Sequence, residues 1–402
     1  MQPETSQAVA DAEAKTSMVE GFRRLRDTRF GSFLPVLLAL IAIWIYFGLT
    51  QPAFLSPRNF YFLFMQSAVV GTLAVGITIV LLLGDIDLSA AATAGVCAAL
   101  LAVLIIAGVP GWIACVIAMI LGTVMGTAQG LLVAYVGIPS FVVTLAGLLS
   151  FQGLMLKILG IQGAINMRDP IVRGLTTVTL PPLLGWALAA LCLVAFAGVL
   201  IRRQQRRRER GLELETAASL WGRIIFFGVM VSAAVATLNS YKGVPLLVVV
   251  LVGITALLSW ITTSTPFGRS LFAVGGNAES ARRVGMDVKR IRVAAFGIVG
   301  LMAAIGGIVG ASRYASVSFN AFAGGPLLLE AIGAAVIGGT SLFGGRGSVW
   351  NAILGALVIG SLGNGLDLSG ASAADKLMFS GGILLLAVAI DALSRNNAGQ
   401  LR

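Results

Sequence analysis

The stretch VPLLVVVLVGITALLSWIT, Val244–Thr262, leads into TPFGRSLFAVGGNAESARRVGMDVKRIR, Thr265–Arg292, and another apolar run begins at Val293. The first part is close to the ~20 apolar residues that an α-helix needs to cross the core of a bilayer. The second is rich in Arg and Lys, which places a loop between spans on the cytoplasmic side. It also carries the signals of a short capped helix. Asn277 suits the N-cap, Glu279 the first turn, Arg282 and Arg283 the last, and Gly285 the closing position. These limits predict a helix over Ala278–Val284. Two turns are not stable alone in water, because nucleation is recovered only over roughly a dozen residues or by docking. The loop, residues 263–292, therefore predicts a partner that docks on it.

Composition extends this reading to the whole chain. With 57% hydrophobic residues, 11% charged residues and 50 glycines in 402, it is an all-α polytopic membrane protein with no sizeable soluble domain. Apolar windows fall at about 34–50, 60–83, 88–107, 112–136, 138–160 and 182–201, then at 222–239, 244–262, 293–312, 330–345, 349–366 and 375–393. Twelve spans are thus predicted, with both termini cytoplasmic. The windows within 330–366 are short and glycine-laden, and as a re-entrant pair they would reduce the count to ten. With the N-terminus inside, 21 of the 28 basic residues fall on the inner side, including the basic loop 202–221 and Arg223. Arg58, Lys157, Arg168, Arg173, Lys242, Arg313 and Lys376 fall outside. The net charge of +11 then reflects topology and contact with anionic lipid, not nucleic-acid binding.

Residues 1–33 read as an uncleaved cytosolic tail, with Met18, Phe22 and Leu25 at a spacing that suits the inner membrane surface. Residues 394–402 form a second cytosolic tail, and 34–393 the membrane domain. Cys97, Cys115 and Cys192 sit inside predicted spans as packing residues. The chain has no histidine, which removes imidazole metal sites, Ser-His triads and histidine relays. None of its five lysines follows a glycine, so it lacks a P-loop for ATP. An enzyme reading is poor, and active transport would draw on an ion gradient or a separate polypeptide.

Gly122, Gly126 and Gly130 repeat every four residues, as do Gly306 and Gly310, a pattern for close helix packing. Polar side chains at membrane depth face a bundle interior, a partner or a water-filled path. Gln66, Gln129, Gln152, Glu330, Asn351 and Asn364 are of this kind, and the amides, with Thr144, are the candidate substrate path. A sugar stripped of water needs replacement hydrogen bonds, and amides both donate and accept them. Structural glue is the competing reading for each. In GDIDLSAAATAGV, from Gly84, Asp87 is placed to N-cap the third span, with a cation site shared with Asp85 as the alternative. Glu330 is placed to cap the helix that starts at Ala331. The glycine-rich run Ala334–Leu368 suggests broken helices near the membrane midplane, a transporter habit.

Four blocks carry a resemblance: GDIDLS at Gly84, IPSFVVTLAG at Ile138, TPFGRSLFAVGGNAESARRVGM at Thr265 and AAVIGGTSLFGGRGSV at Ala334. In this order they resemble the permease subunits of bacterial ABC sugar importers, in the branch of ribose, galactose, arabinose and xylose permeases. The resemblance implies that the Thr265 block docks on the ATPase subunit, with Gly268, Arg269, Gly275, Asn277, Ala278, Ala281, Arg282 and Gly285 as coupling positions. It further implies a second permease copy, a cytosolic ATP-binding subunit carrying ATP and Mg, a periplasmic sugar-binding protein, an inner-membrane location, and no cofactor on this chain. The stretch from about Ile161 to Ser240 looks like an addition shared with the longer xylose-type members, which points to a pentose. Asp85 stands where the family usually has a second glycine, and Leu328 where an acid often precedes Glu330. The competing classes are an ion-coupled secondary carrier, for which intramembrane acids and bases are nearly absent, and a membrane-embedded transferase, for which only Asp85 and Asp87 could serve.

Overall fold

In the computed structural model the described residues are 34–323, 325–382, 385 and 389. The N-terminal tail, its Met18–Leu25 surface stripe, about half of the last predicted span and the C-terminal tail lie outside them. The chain forms α1 (Leu34–Thr50), α2 (Pro57–Leu82), α3 (Ala90–Ile106), α4 (Gly111–Leu131, extended by a π-turn over Leu132–Val136) and α5 (Ser140–Leu159). There follow β1 (Ala164–Asn166), α6 (Pro170–Thr177), β2 (Thr179–Leu180), α7 (Pro182–Glu209), α8 (Ala217–Asn239), β3 (Val244–Pro245) and α9 (Leu246–Ser264). The remainder is α10 (Pro266–Gly276), α11 (Ala278–Arg283), α12 (Val288–Tyr314), β4 (Ser316–Ser318), α13 (Phe319–Phe322), α14 (Leu327–Ile337) and α15 (Val349–Leu368).

Among the described residues nine helical segments are long and apolar enough to cross a membrane, and two shorter apolar helices, Pro35–Thr50 and Ala90–Ile106, accompany them. Each of the first eleven predicted windows holds one of these helices. The one at 330–345 is misplaced: the segment counted there is Phe319–Ile337, and residues 338–348 form a loop. Glycines at positive φ explain the break, since Gly339, Gly344 and Gly345 lie at +90°, +83° and +74°.

The core is built on α2 and α12. The membrane-crossing window of α2 is 94% buried, whereas those of α7 and α8 are each 11% buried and face outward. Small residues let α12 lie against α4 backbone to backbone. A Cβ on Gly126 would overlap the Phe296 carbonyl oxygen, and one on Gly300 would overlap that of Gly122. Gly306 abuts Leu73, and Gly310 abuts Phe322. The four-residue repeats are therefore packing surfaces, as the sequence implied.

The connections sort to two ends of the bundle. At one end β1 pairs with β4 and β2 with β3, both antiparallel. At the other end the turn after α2, the start of α5, the α10–α11 segment and the 338–348 loop meet: Gly345 N donates to Leu82 O at 2.9 Å and Ile86 N to Ser140 Oγ at 3.3 Å. Helix α7, 28 residues and so about 42 Å long, overruns the ~30 Å hydrocarbon core and carries its arginines beyond it. Phe196 stacks on Phe227 at 4.2 Å, and Glu215 joins Arg207 and Arg223 at 3.4 and 3.1 Å, closing the α7–α8 hairpin.

Candidate coupling site and buried polar groups

Helix α9 reverses into α10 through Thr265, whose Oγ1 accepts from Gly268 N at 3.3 Å, with Pro266 preset for the first helical position. Gly268 permits this reversal, because a Cβ there would overlap the Thr262 carbonyl. Helix α10 buries Gly268, Leu271 and Val274. Asn277 then N-caps α11, its Oδ1 accepting from Ser280 N at 2.9 Å. Glu279 pairs with Arg282 at 3.2 Å and with Arg283 at 3.4 Å. Gly285 closes the turn at φ +84°, its N–H donating to Arg282 O at 3.0 Å. The helix is Ala278–Arg283, one residue shorter than expected, because Val284 already leaves helical geometry at ψ +16°. Asp287 caps α12 by accepting from Arg290 N at 3.0 Å.

The coupling candidates divide by the direction they face. Gly268 and Ala281 are buried, Gly275 and Ala278 are partly buried, and all four seat the segment on the bundle. Arg269, Asn277, Arg282 and Gly285 are exposed. Val284, 73% exposed, joins them as an apolar side chain at the tip that sequence reading treated only as a helix end. A Cβ on Gly275 would overlap Leu82 O, the oxygen that accepts from Gly345 N. The 338–348 loop thus lies against α10 at this end of the bundle, not midway along it.

The turn after α2 holds the acids. Asp85, with a side chain 9% exposed, stands 3.0 Å from Arg292 Nε in the second turn of α12. Asp87 accepts from both Ser89 N and Ser89 Oγ at 2.7 Å. Asp87 is not the N-cap of α3: Ser89 occupies that position, and the Asp87 carboxylate ties the turn just ahead of it. Ser89 Oγ lies 2.9 Å from Gln129 Nε2 and 3.1 Å from its Oε1, and Thr144 Oγ1 donates to Ile86 O at 3.1 Å. Gln129 and Thr144, chosen as path candidates, are therefore bound into this turn. Two acids with an arginine and hydroxyls do not make a cation site, and among the described residues no group of three or more acids and cysteines could hold a metal. The three cysteines are free, as packing residues should be.

The other polar candidates are scattered. Gln152 Nε2 donates to Ala323 O at 2.7 Å. Asn364 and Asn59 exchange hydrogen bonds of 2.7 and 3.0 Å at the end far from α11, with Gln66 Oε1 3.5 Å from Asn364 Nδ2. Asn351 is buried in the first turn of α15, and its Oδ1 has no partner among the described residues. Glu330 sits in the first turn of α14. Among the path candidates, Gln129 and Thr144 lie on the turn after α2, and Gln66 and Asn364 toward the opposite end of that helix. Asn364→Leu should leave Asn59 Oδ1 without its donor, while Asn59 Nδ2 keeps its 2.8 Å bond to Phe54 O, and should reduce thermal stability by about 1 kcal/mol. Gln66→Leu, with one long contact to lose, should cost less stability. Thermal unfolding in detergent alongside uptake checks both.

Sequence reading singled out Asp85 but missed its partner Arg292, which stood only as the end of a basic loop. The available signal was an acid at a span boundary, whose charge once buried needs a cation or hydrogen-bond donors. Burial raises the Asp85 carboxyl above its ordinary range, while Arg292 and the Ser140 hydroxyl pull it down. Asp87 is raised by burial as well, against the Ser89 hydroxyl and N–H. For a raised acid, the stability contribution is present at low pH and falls as pH climbs through the folded value. Acidification should thus protonate Asp85 earlier than a free aspartate and open the pair without unfolding the protein through this group. Uptake measured against pH, with Tm measured in parallel, should show activity falling first.

A bundle of long apolar helices with an exposed, capped helix at one end is the architecture of a polytopic membrane protein. The chain belongs to the permease family of ABC importers: the family described as branched-chain amino acid transport system / permease component matches residues 59–388. It is 36% identical to the xylose transport system permease protein XylH of Escherichia coli (strain K12) over 94% of this chain and 96% of that protein. It is 32% identical to the ribose import permease protein RbsC of Bacillus subtilis (strain 168) over 90% of this chain and 92% of that one. The autoinducer 2 import system permease protein LsrC of Salmonella typhi is 30% identical over 80% and 74%. No solved structure matches the chain. The protein is thus the permease component of a bacterial ABC sugar importer, a multi-pass protein of the inner membrane and not itself an enzyme. Membership implies an ATPase subunit and a binding protein as partners.

Proposed function

We propose that this chain conducts a pentose, xylose first, across the inner membrane as one of two identical permease copies. The cytosolic ATPase docks on α10–α11, and the binding protein delivers sugar at the end formed by β1–β4. The observation that carries the docking assignment is the exposed, fully capped helix α11, which has Val284 at its tip and arginines around it. Three features support the rest. The xylose permease aligns over nearly the whole chain, including the α7–α8 hairpin. The basic residues of 202–223 and 265–292 belong to the α11 end, which makes that end cytoplasmic. The 338–348 loop meets α10 and the turn after α2, which supports reading α14 and α15 as two crossings and not as a re-entrant pair.

Reconstitution in proteoliposomes with the ATPase and binding protein tests the reading. Labelled xylose should accumulate only with ATP, faster than ribose, galactose or inositol. Preference for a hexose would overturn the pentose assignment. Accumulation by this chain alone under a proton or sodium gradient would overturn the ATP-driven mechanism.

A further inference from the structure

We propose that the Asp85–Arg292 ion pair is the mechanical link through which the docking segment moves the membrane helices, a positioning role that rests on the docking assignment above. Within Thr265–Arg292 the other ion pairs are local and exposed: Glu279 with Arg282 and Arg283, and Asp287 with Arg290, all three or four residues apart. Among the described residues Arg292 alone of these basic groups forms an ion pair with a different element, and it does so in the second turn of α12, beyond α11 and its closing turn.

Both atoms of that contact, Asp85 Oδ2 and Arg292 Nε, are buried and have no other polar partner among the described residues. They stand 3.0 Å apart as an ion pair and not as an aligned hydrogen bond. The Arg292 side chain keeps 30% of its surface exposed while that of Asp85 keeps 9%, so the pair holds the enclosed carboxylate to a cation that reaches solvent. Asp85 is too enclosed to touch a partner protein, so its charge serves the interior.

From Asp85 the contacts fan out along the turn that follows it. The next residue, Ile86, is held at its N–H by Ser140 Oγ and at its carbonyl by Thr144, both in the first turns of α5. Asp87 holds Ser89 at the start of α3, and Ser89 holds Gln129 near the end of α4. A shift of the docking segment therefore reaches the ends of three membrane helices through one ionic contact. The test separates transmission from mere neutralisation of buried charge.

The full-length chain is assembled with its ATPase and binding protein in proteoliposomes. ATPase retained on the purified permease, Tm, and ATP hydrolysed per labelled xylose imported are measured for native, Arg292→Lys, and the double variant Asp85→Asn with Arg292→Gln. The double variant removes both charges together, so no orphan is left buried. Expected are ATPase retention within twofold and an unchanged Tm for both variants, a near-native ATP-to-sugar ratio for Arg292→Lys, and a ratio at least tenfold higher for the double variant. A double variant with the native ratio would overturn the proposal and reduce the pair to mutual charge burial. Loss of ATPase retention in the double variant would also overturn it, by making the pair part of the docking surface. Absence of ATP-driven uptake by the native assembly would instead refute the docking assignment, and the native control reads that separately.

Discussion

Replacing Gly275 by valine is expected to abolish uptake and to leave little permease that retains its ATPase. In an exposed helix, replacing glycine by a residue with a side chain usually helps, because glycine costs about 1 kcal/mol relative to alanine. Here the first added carbon would overlap the Leu82 carbonyl oxygen, and Gly345 N lies 2.8 Å from the same point. Neither atom can swing away as a side-chain tip would. Leu82 O closes the end of α2 and accepts from Gly345 N, so α10 must back off and release the 338–348 loop. Overpacking costs about 1–3 kcal/mol where side chains yield, and a backbone collision belongs at or beyond the top of that range. Size-exclusion profile, Tm and ATPase retention should all fall together for Gly275→Val, and a smaller loss should follow Gly275→Ala. A valine variant with native Tm would mean that α10 does not lie on the α2 terminus.

How much of this was readable beforehand follows from where the constraint comes from. A bilayer requires about twenty apolar residues per crossing, so the windows at 34–50 and 349–366 predicted α1 and α15 to within a few residues. Caps are local, so Asn277 and Gly285 could be assigned from their neighbours alone. The break at 338–348 was not readable: Ala334–Leu368 mixes glycines that pack helices with glycines that turn the chain, and only φ separates Gly355 inside α15 from Gly344 in the loop. The polar candidates were legible as residues, but their partners were not. Hydrogen-bond partners such as Asn59 for Asn364 or Ala323 for Gln152 lie far along the chain, and no periodicity links them. The same distance hid Arg292 from Asp85.

The inward and outward division of the docking segment gives the second large effect its sharpness. Asn277→Pro should eliminate uptake and ATPase stimulation by at least tenfold while the chain still inserts and folds in the membrane. Asn277 has φ −161°, far from the −65° that a proline ring imposes, and its N–H donates to Ala273 O at 3.1 Å. Proline also removes the side chain that caps Ser280 N, a loss of about 1 kcal/mol. A six-residue helix has no reserve against that, so α11 should unwind with no membrane-spanning helix disturbed. Gly285→Arg reaches the same phenotype by another route. Nothing lies within 4 Å of a Cβ built there, so the arginine meets no resistance from this chain and projects into the space the ATPase must occupy. The left-handed φ of +84° adds roughly 1–2 kcal/mol of backbone strain for any residue with a Cβ. Gly285→Ala carries that strain without the bulk. If strain alone were the cause, Ala and Arg would impair uptake equally; if α11 is the docking surface, Gly285→Ala should keep most of the activity and Gly285→Arg should keep none.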